Sequence, residues 1–143
     1  MEETINKAIQ ATKDETLQAY EGYQQLSQNK IDAYLDSGNE LRVDLKPLVE
    51  HFEKLDNELL EAINTGKIPV NSQNVEKLEV EVNALLSVSN DFLNALKENP
   101  YFPVIKTLVE DFEDKISLLK ETVEDFKGML RLSNDERLHN LLS

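Results

Sequence analysis

The sequence predicts an all-α protein, an antiparallel up-down-up-down four-helix bundle with a short C-terminal helix. Apolar residues recur at alternating spacings of three and four along most of the chain. That pattern averages about 3.5 residues, the period of helices in left-handed bundles. Glycine and proline are rare, with four of each, and they cluster at breaks. Period-two alternation, which is typical of strands, is nearly absent; the short LRVDL at 41–45 is the one hint of it.

Three breaks divide the chain. They are Ser37-Gly38-Asn39, the TGKIP sequence at 65–69 and the NPYFP sequence at 99–103. Glycine commonly ends a helix and a following proline cannot continue it, whereas Pro103 suits the first turn of a new helix. We therefore expect one domain over residues 1–143, with long helices at about 3–36, 45–65, 73–98 and 103–130.

Each of the last three long helices has a continuous apolar row, which predicts its buried side. The rows are Leu45, Leu48, Phe52, Leu55, Leu59 and Ala62; Val75, Leu78, Val82, Leu85, Ser89, Phe92 and Leu96; and Ile105, Val109, Phe112, Ile116, Leu119, Val123, Phe126 and Leu130.

The first helix has a weaker row, because its middle is polar and Gly22 lowers its helix propensity. The spacing is nevertheless kept, and a kink near Gly22 or a frayed start are both compatible with it. The row is Ile5, Ile9, Thr12, Thr16, Tyr20, Tyr23, Ser27, Ile31 and Tyr34.

Capping residues support these boundaries. Asp44 is expected to cap the second helix, with Pro47 tolerated in its first turn, and Asn71 or Ser72 to cap the third. Residues 133–136, SNDE, match the S-x-x-E capping box and predict the short C-terminal helix at about 134–142. Its apolar residues need a surface to cover: Leu138, Leu141 and Leu142.

The net charge is −13, and acids outnumber bases in every long segment. Direct nucleic-acid binding is not expected, since phosphate contacts need clustered lysine and arginine. The chain has no cysteine, no basic and apolar leader and no apolar run near the ~20 residues of a membrane span. These features favour a cytoplasmic protein that does not enter a membrane.

Catalytic chemistry is not predicted. His51 precedes a core position, and His139 completes a single E-x-x-H, whereas di-iron bundles need two such motifs and further glutamates. No Gly-rich phosphate loop and no G-x-S-x-G motif is present. The many carboxylates lie mainly between core positions, where water keeps their pKa values ordinary. We expect no enzyme activity, no cofactor and no metal.

Three groups of residues are candidate partner-binding positions. Tyr101 and Phe102 are adjacent aromatics in a break, where they either plug the end of the core or anchor an interface. The second group is the leucine-rich terminus, Met129 to Leu142, which either packs on the bundle or docks on a second copy or another protein. The third group is the acidic run near the start of the fourth helix: Glu110, Asp111, Glu113 and Asp114.

The leading hypothesis is a non-enzymatic protein–protein interaction module that acts through an acidic helical surface as an adaptor, assembly factor or chaperone-like subunit. The alternative is an acidic inhibitor of a basic or nucleic-acid-binding partner, either an immunity protein or a DNA mimic. The residues of this chain match the general style of bacterial or phage helical-bundle accessory proteins. The expected partner is another protein, for which the charge favours a basic one. A closed monomer and a homodimer are both compatible with the pattern.

The chain contains a local repeat, LVEHFEK at 48–54 and LVEDFED at 108–114. Its match stops at once, and the flanking helices do not align with each other. Both copies lie near the predicted start of a helix, where acids favour the positive end of the helix dipole. We interpret the repeat as one packing requirement met twice, not as a binding motif.

Overall fold

The computed structural model describes residues 3–29, 38–98 and 102–142, with side chains described for 3–24, 45–98 and 106–132. These residues form four helices: α1 Glu3–Asn29, α2 Gly38–Asn64, α3 Ser72–Lys97 and α4 Phe102–Leu142. Within these ranges there is no strand, and the helices pack against one another. The predicted all-α class is confirmed.

Helix α2 begins earlier than predicted. It starts at Gly38, so Asp44 is not its N-cap and Pro47 lies inside the helix. Proline lacks an N–H and removes one hydrogen bond of the helical ladder, but its fixed φ is compatible with a helix. The helix therefore continues on both sides of Pro47, and the prediction that Asp44 caps this helix is wrong.

Helix α4 is longer than predicted. It runs without interruption to Leu142, so the separate helix expected at 134–142 is not confirmed. Residues 131–136 contain neither glycine nor proline, and nothing in their backbone chemistry forces a helix to stop there. At α1, residues 30–36 of the predicted helix lie outside the described residues. Helix α3 differs from its predicted bounds by one residue at each end.

The helices have a defined set of neighbours. Helix α1 packs against α2 and α3, and α4 also packs against α2 and α3. Among the described residues, no contacts join α1 to α4 or α2 to α3. Helices α2 and α3 follow each other in the chain yet lie across the core from each other. Residues 65–71 must therefore cross one end of the helical assembly.

The crossing segment begins with a glycine-dependent turn. Gly66 has φ +76°, a conformation that favours glycine, and its N–H donates to the Ile63 carbonyl at 3.3 Å. The Ile68 N–H then donates to the Ala62 carbonyl at 3.2 Å, and the Ile68 side chain is fully buried. This turn thus ends α2 and places an apolar plug over the end of the core.

Helix α3 begins with an asparagine cap, one of the two alternatives predicted. The Asn71 side chain accepts a hydrogen bond from the Asn74 N–H at 2.8 Å. The Asn74 side chain in turn donates to the Pro69 carbonyl at 2.9 Å and is itself buried. Two amides therefore satisfy the polar groups of the turn where the chain enters α3.

Aromatic rings link all four helices through the core. Tyr20 of α1 stacks on Phe92 of α3, with ring centroids 5.3 Å apart. Phe92 meets Phe112 of α4 at 5.8 Å, and Phe112 meets Phe52 of α2 edge-on at 5.5 Å. Such pairs add about 0.5–1.5 kcal/mol each beyond their area burial.

The predicted apolar rows are buried wherever their side chains are described, apart from the half-buried Tyr20 and Leu130. The polar members of the rows bond to their own helix. Thr16 Oγ1 donates to the Thr12 carbonyl at 2.7 Å, and Ser89 Oγ to the Leu85 carbonyl at 2.8 Å. The polar middle of α1 therefore needs no partner to be buried.

The repeated sequence places Phe52 and Phe112 in direct contact. The two copies differ in their neighbouring aliphatic residues: Leu48 is buried and Val49 half-buried on α2, whereas Val109 is buried and Leu108 half-buried on α4. The same letters thus face the core differently, and the first copy does not lie near a helix start as predicted, because α2 begins at Gly38.

Candidate functional site

The four residues of the predicted acidic run on α4 differ in their contacts: two form ion pairs with described residues and two do not. Glu113 pairs with Lys97 of α3, and Glu110 lies 3.8 Å from Lys106 on the same helix. Asp111 and Asp114 are exposed, and neither has an ion pair within the described residues. Only these two aspartates of the run therefore present free carboxylates on one outward side of α4.

The two aspartates begin a longer row, which we call the α4 stripe. Its members follow one another at spacings of three or four residues, so they share one side of the helix. All are exposed, and none is basic. The α4 stripe consists of Asp111, Asp114, Leu118, Glu121, Asp125, Met129 and Leu132.

The flank of α4 that faces α3 has a different composition, with bases as well as acids. Lys127 lies 3.0 Å from Glu79 of α3 and 3.6 Å from Glu124. The hydrogen bond with Glu79, together with both negative charges, raises the pKa of Lys127. Lys120 and Arg131 lie on the same flank by their spacing. The side of α4 that faces α3 therefore contains both acidic and basic residues, whereas the charged residues of the α4 stripe are all acidic.

Two contacts lie along the line where α2 packs on α4, and we call the surface along this line the α2–α4 groove. Lys115 of α4 lies 3.6 Å from Glu53 of α2, and Thr122 Oγ1 lies 2.5 Å from Asp56 Oδ1. Leu60 is one turn after Asp56 on α2, and Leu118 is one turn before Thr122 on α4. Both leucines are partly exposed, at 38% and 41%. The α2–α4 groove therefore has a polar floor and an exposed leucine on each wall.

Asp56 is the buried acid at the floor of this groove, with 2% of its surface exposed. Burial raises the pKa of its carboxyl, while the Thr122 hydrogen bond and the positive charge of Lys115 act in the opposite direction. The Thr122 oxygen also lies 3.1 Å from the Leu118 carbonyl. One hydroxyl hydrogen cannot serve both acceptors fully, but a protonated Asp56 can donate to Thr122, which then donates to Leu118.

A second groove, of about 490 Å³, lies between α1 and α2 and is open to solvent. His51 Nε2 lies 2.9 Å from a Glu15 carboxylate oxygen, and both side chains are half-exposed. Gln18, Gly22 and Pro47 are among its other lining residues. The described lining residues include no serine, threonine, cysteine or lysine. Within the described residues no group of three metal-ligating side chains occurs.

Several predicted positions cannot be placed. Tyr101 lies outside the described residues, as do the side chains of Phe102, Leu138, Leu141 and Leu142. Conversely, the predicted positions did not include Leu60 or Leu118, and they included Met129 only as the start of the leucine-rich terminus; the structure leaves all three exposed. Their spacing from the core rows is visible in the sequence, but which neighbouring helix covers each flank is not.

No described helix combines the length and apolar character required to cross a membrane. Comparison with protein-family models, with curated proteins and with solved structures finds no match for this chain. The arrangement of side chains on α2 and α4 is therefore the basis for assigning a function.

Proposed function

We propose that this protein is a non-enzymatic protein–protein interaction module that acts through the acidic surface of α4 as an adaptor, assembly factor or chaperone-like subunit. The observation behind this proposal is the segregation of side chains on α4. Its α3-facing flank has paired charges, whereas the α4 stripe has four carboxylates without a base and three exposed apolar residues.

This composition suits a protein interface. Leu118, Met129 and Leu132 expose between 40% and 65% of their surface, so a partner that covers them removes apolar area from water. Burial of such area contributes roughly 25 cal/mol per Å² before the costs of association are subtracted. The flanking carboxylates accelerate encounters with a basic surface and disfavour acidic ones.

The alternative function is an acidic inhibitor that neutralises a basic or nucleic-acid-binding partner, as an immunity protein or a DNA mimic does. The four unpaired carboxylates of the α4 stripe favour it, namely Asp111, Asp114, Glu121 and Asp125. The two functions differ in what binding depends on. An inhibitor of this type loses affinity chiefly when carboxylates are changed to amides, and an adaptor chiefly when Leu118 or Met129 is changed to serine.

We further propose that the four helices form one antiparallel up-down-up-down domain. Contacts between α1 and α3 rise together in residue number, as Gln10 with Glu81 and Tyr23 with Ala95 illustrate. Contacts between α3 and α4 run in opposite order, Glu79 with Lys127 and Phe92 with Phe112. For the protein itself we propose a cytoplasmic location and no direct binding to nucleic acid.

Site-specific photocrosslinking tests the interaction function. A photoreactive amino acid is introduced at position 118 or 129 in cells that naturally express the protein, and adducts are identified by mass spectrometry. Position 80 is the control, since Val80 is 64% exposed on α3, away from the α4 stripe. We expect one partner protein to be captured from 118 and 129 and not from 80. Identical adducts at all three positions, or none, contradict the proposal.

A further inference from the structure

We propose that the α2–α4 groove binds a basic amphipathic helix of a partner protein. This inference rests on the proposed interaction function and adds the chemistry and shape of the partner. The apolar side of that helix contacts Leu60, Leu118 and Met129, and its lysine or arginine residues face the carboxylates of the α4 stripe.

The walls of the groove are fixed by contacts at its floor. The Glu53–Lys115 pair and the Asp56–Thr122 hydrogen bond hold α2 against α4. Leu60 and Leu118 lie one turn from the two residues of that hydrogen bond, and both are exposed; among the described helices none besides α2 and α4 packs on this side. Single exposed leucines are ordinary on a protein surface, but here two of them lie along one groove that unpaired carboxylates border.

The spacing of the side chains fits a helical occupant. From Leu118 to Leu132 the α4 stripe extends about 21 Å, and from Asp111 to Asp125 it extends about the same length, at 1.5 Å per residue. A partner helix presents side chains at the same spacings of three and four, so its rows can interdigitate with those of α4. About 14 residues of partner helix span either set.

The charge of the groove selects a basic partner. Asp111, Asp114, Glu121 and Asp125 border it without a base in the same row, and the chain as a whole has a net charge of −13. A second copy of this chain, docked by the same face, brings carboxylates against carboxylates. A partner rich in lysine or arginine turns this repulsion into attraction and increases the association rate.

The test uses a dye-labelled 18-residue peptide in which leucine and lysine are arranged as an amphipathic helix. The control is a peptide of the same composition with its residues scrambled. Fluorescence anisotropy measures the binding of both to the full chain. We expect the amphipathic peptide alone to bind saturably, with affinity falling by about tenfold between 50 and 300 mM NaCl as the charges are screened. Equal binding of both peptides, or no binding of either, overturns the proposal.

Surface variants locate the binding site. Leu118→Ser and Met129→Ser should each weaken binding of the amphipathic peptide by about fivefold or more, a typical loss for an interface anchor. Asp114→Asn combined with Asp125→Asn should reduce its salt dependence. Matched controls are Val80→Ser and Glu124→Gln, which lie outside the groove and should leave binding unchanged. If the control variants weaken binding as much as the groove variants do, the peptide binds elsewhere and the proposal fails.

Two outcomes separate this proposal from the general interaction function. If crosslinking at position 118 captures a partner but the amphipathic peptide does not bind, the module stands and the helical basic partner is wrong. If light scattering shows a dimer that Leu118→Ser dissociates, the occupant is a second copy and the proposal is again overturned.

Discussion

At the scale of single residues, the hydrogen bond between Thr122 and Asp56 has the clearest energetic consequence. Thr122→Val keeps the side-chain shape but leaves the buried Asp56 carboxylate without its hydroxyl partner. We expect a loss of about 1–3 kcal/mol in the free energy of unfolding at pH 7, measured by urea denaturation. Thr107→Val, at an exposed position of α4, is the matched control and should change stability by less than about 0.5 kcal/mol.

A double variant distinguishes the hydrogen bond from simple packing. Replacing both groups, as Asp56→Leu with Thr122→Val, removes the buried polar atoms together, and stability should recover to near the wild-type value or above it. A double variant less stable than Thr122→Val alone contradicts this account.

The protonation of Asp56 gives a second prediction at this scale. Since burial raises its pKa above the ordinary 3.8, the folded protein holds this proton more tightly than the unfolded chain. The stabilising contribution of Asp56 is therefore greatest below pH 3.8 and is lost as pH rises through the folded-state pKa. Asp56→Asn should remove that loss, so the stability of the variant relative to wild type should increase from pH 4 to 7.

Urea denaturation at several pH values measures this difference. The other carboxylates are common to both proteins, so they cancel in the comparison. A difference that stays constant across the pH range shows that Asp56 has the same proton affinity in the folded and unfolded states.

At the scale of helices and turns, replacing glycine by alanine should have opposite effects on stability at Gly66 and at the two helical glycines. Gly66 has φ +76°, so Gly66→Ala should destabilise the protein by about 1 kcal/mol. Gly22 and Gly128 lie within helices, and a Cβ at either meets no atom within 4 Å. Gly22→Ala and Gly128→Ala should each stabilise by up to about 1 kcal/mol. Thermal unfolding followed by circular dichroism checks all three, and stabilisation by Gly66→Ala contradicts the role assigned to the turn.

The helices themselves were largely predictable from residue spacing. The rows through Phe52, Phe92 and Phe112 fix which side is buried, because helix period and burial are both local properties of the sequence. The wrong predictions concern where helices begin and end. Pro47 and the SNDE sequence at 133–136 each suit two backbone states, so local chemistry alone does not choose between them.

The α4 stripe was less predictable. Asp111 and Asp114 were expected to be exposed. That they stay unpaired among the described residues while Glu113 pairs with Lys97 depends on which side of α4 packs against α3, and the sequence does not show this. Leu118 was not predicted for the same reason, whereas Met129 was predicted only as the start of the leucine-rich terminus. Asp56 lies on the buried side of α2 by its spacing from Phe52, Leu59 and Ile63. Its burial was not predicted, because a charged side chain is normally exposed. Neighbour relations between helices are long-range, and one sequence does not specify them locally.

At the scale of the whole molecule, the aromatic rings make Phe92 a point where several helices depend on one side chain. It contacts Tyr20 and Tyr23 of α1 and Phe112 of α4. Phe92→Ala should cost about 3–5 kcal/mol, the usual range for a buried phenylalanine. Chemical denaturation measures the loss, and Val80→Ala on the exposed side of α3 is its matched control. Hydrogen exchange should report lower protection in all four helices; a loss confined to α3 contradicts cooperative packing.

The diagonal position of α2 and α3 has a consequence for synthesis on the ribosome. Each helix of the first hairpin has one of its two interfaces with a helix made later: α1 packs on α3, and α2 packs on α4. The pairing residues are far apart in sequence, 72 positions for Tyr23 and Ala95 and 66 for Asp56 and Thr122. While the nascent chain ends before α4, the apolar row of α2 has α1 beside it but lacks the cover that α4 provides. The emerging protein therefore keeps part of this apolar row exposed until its last helix is released.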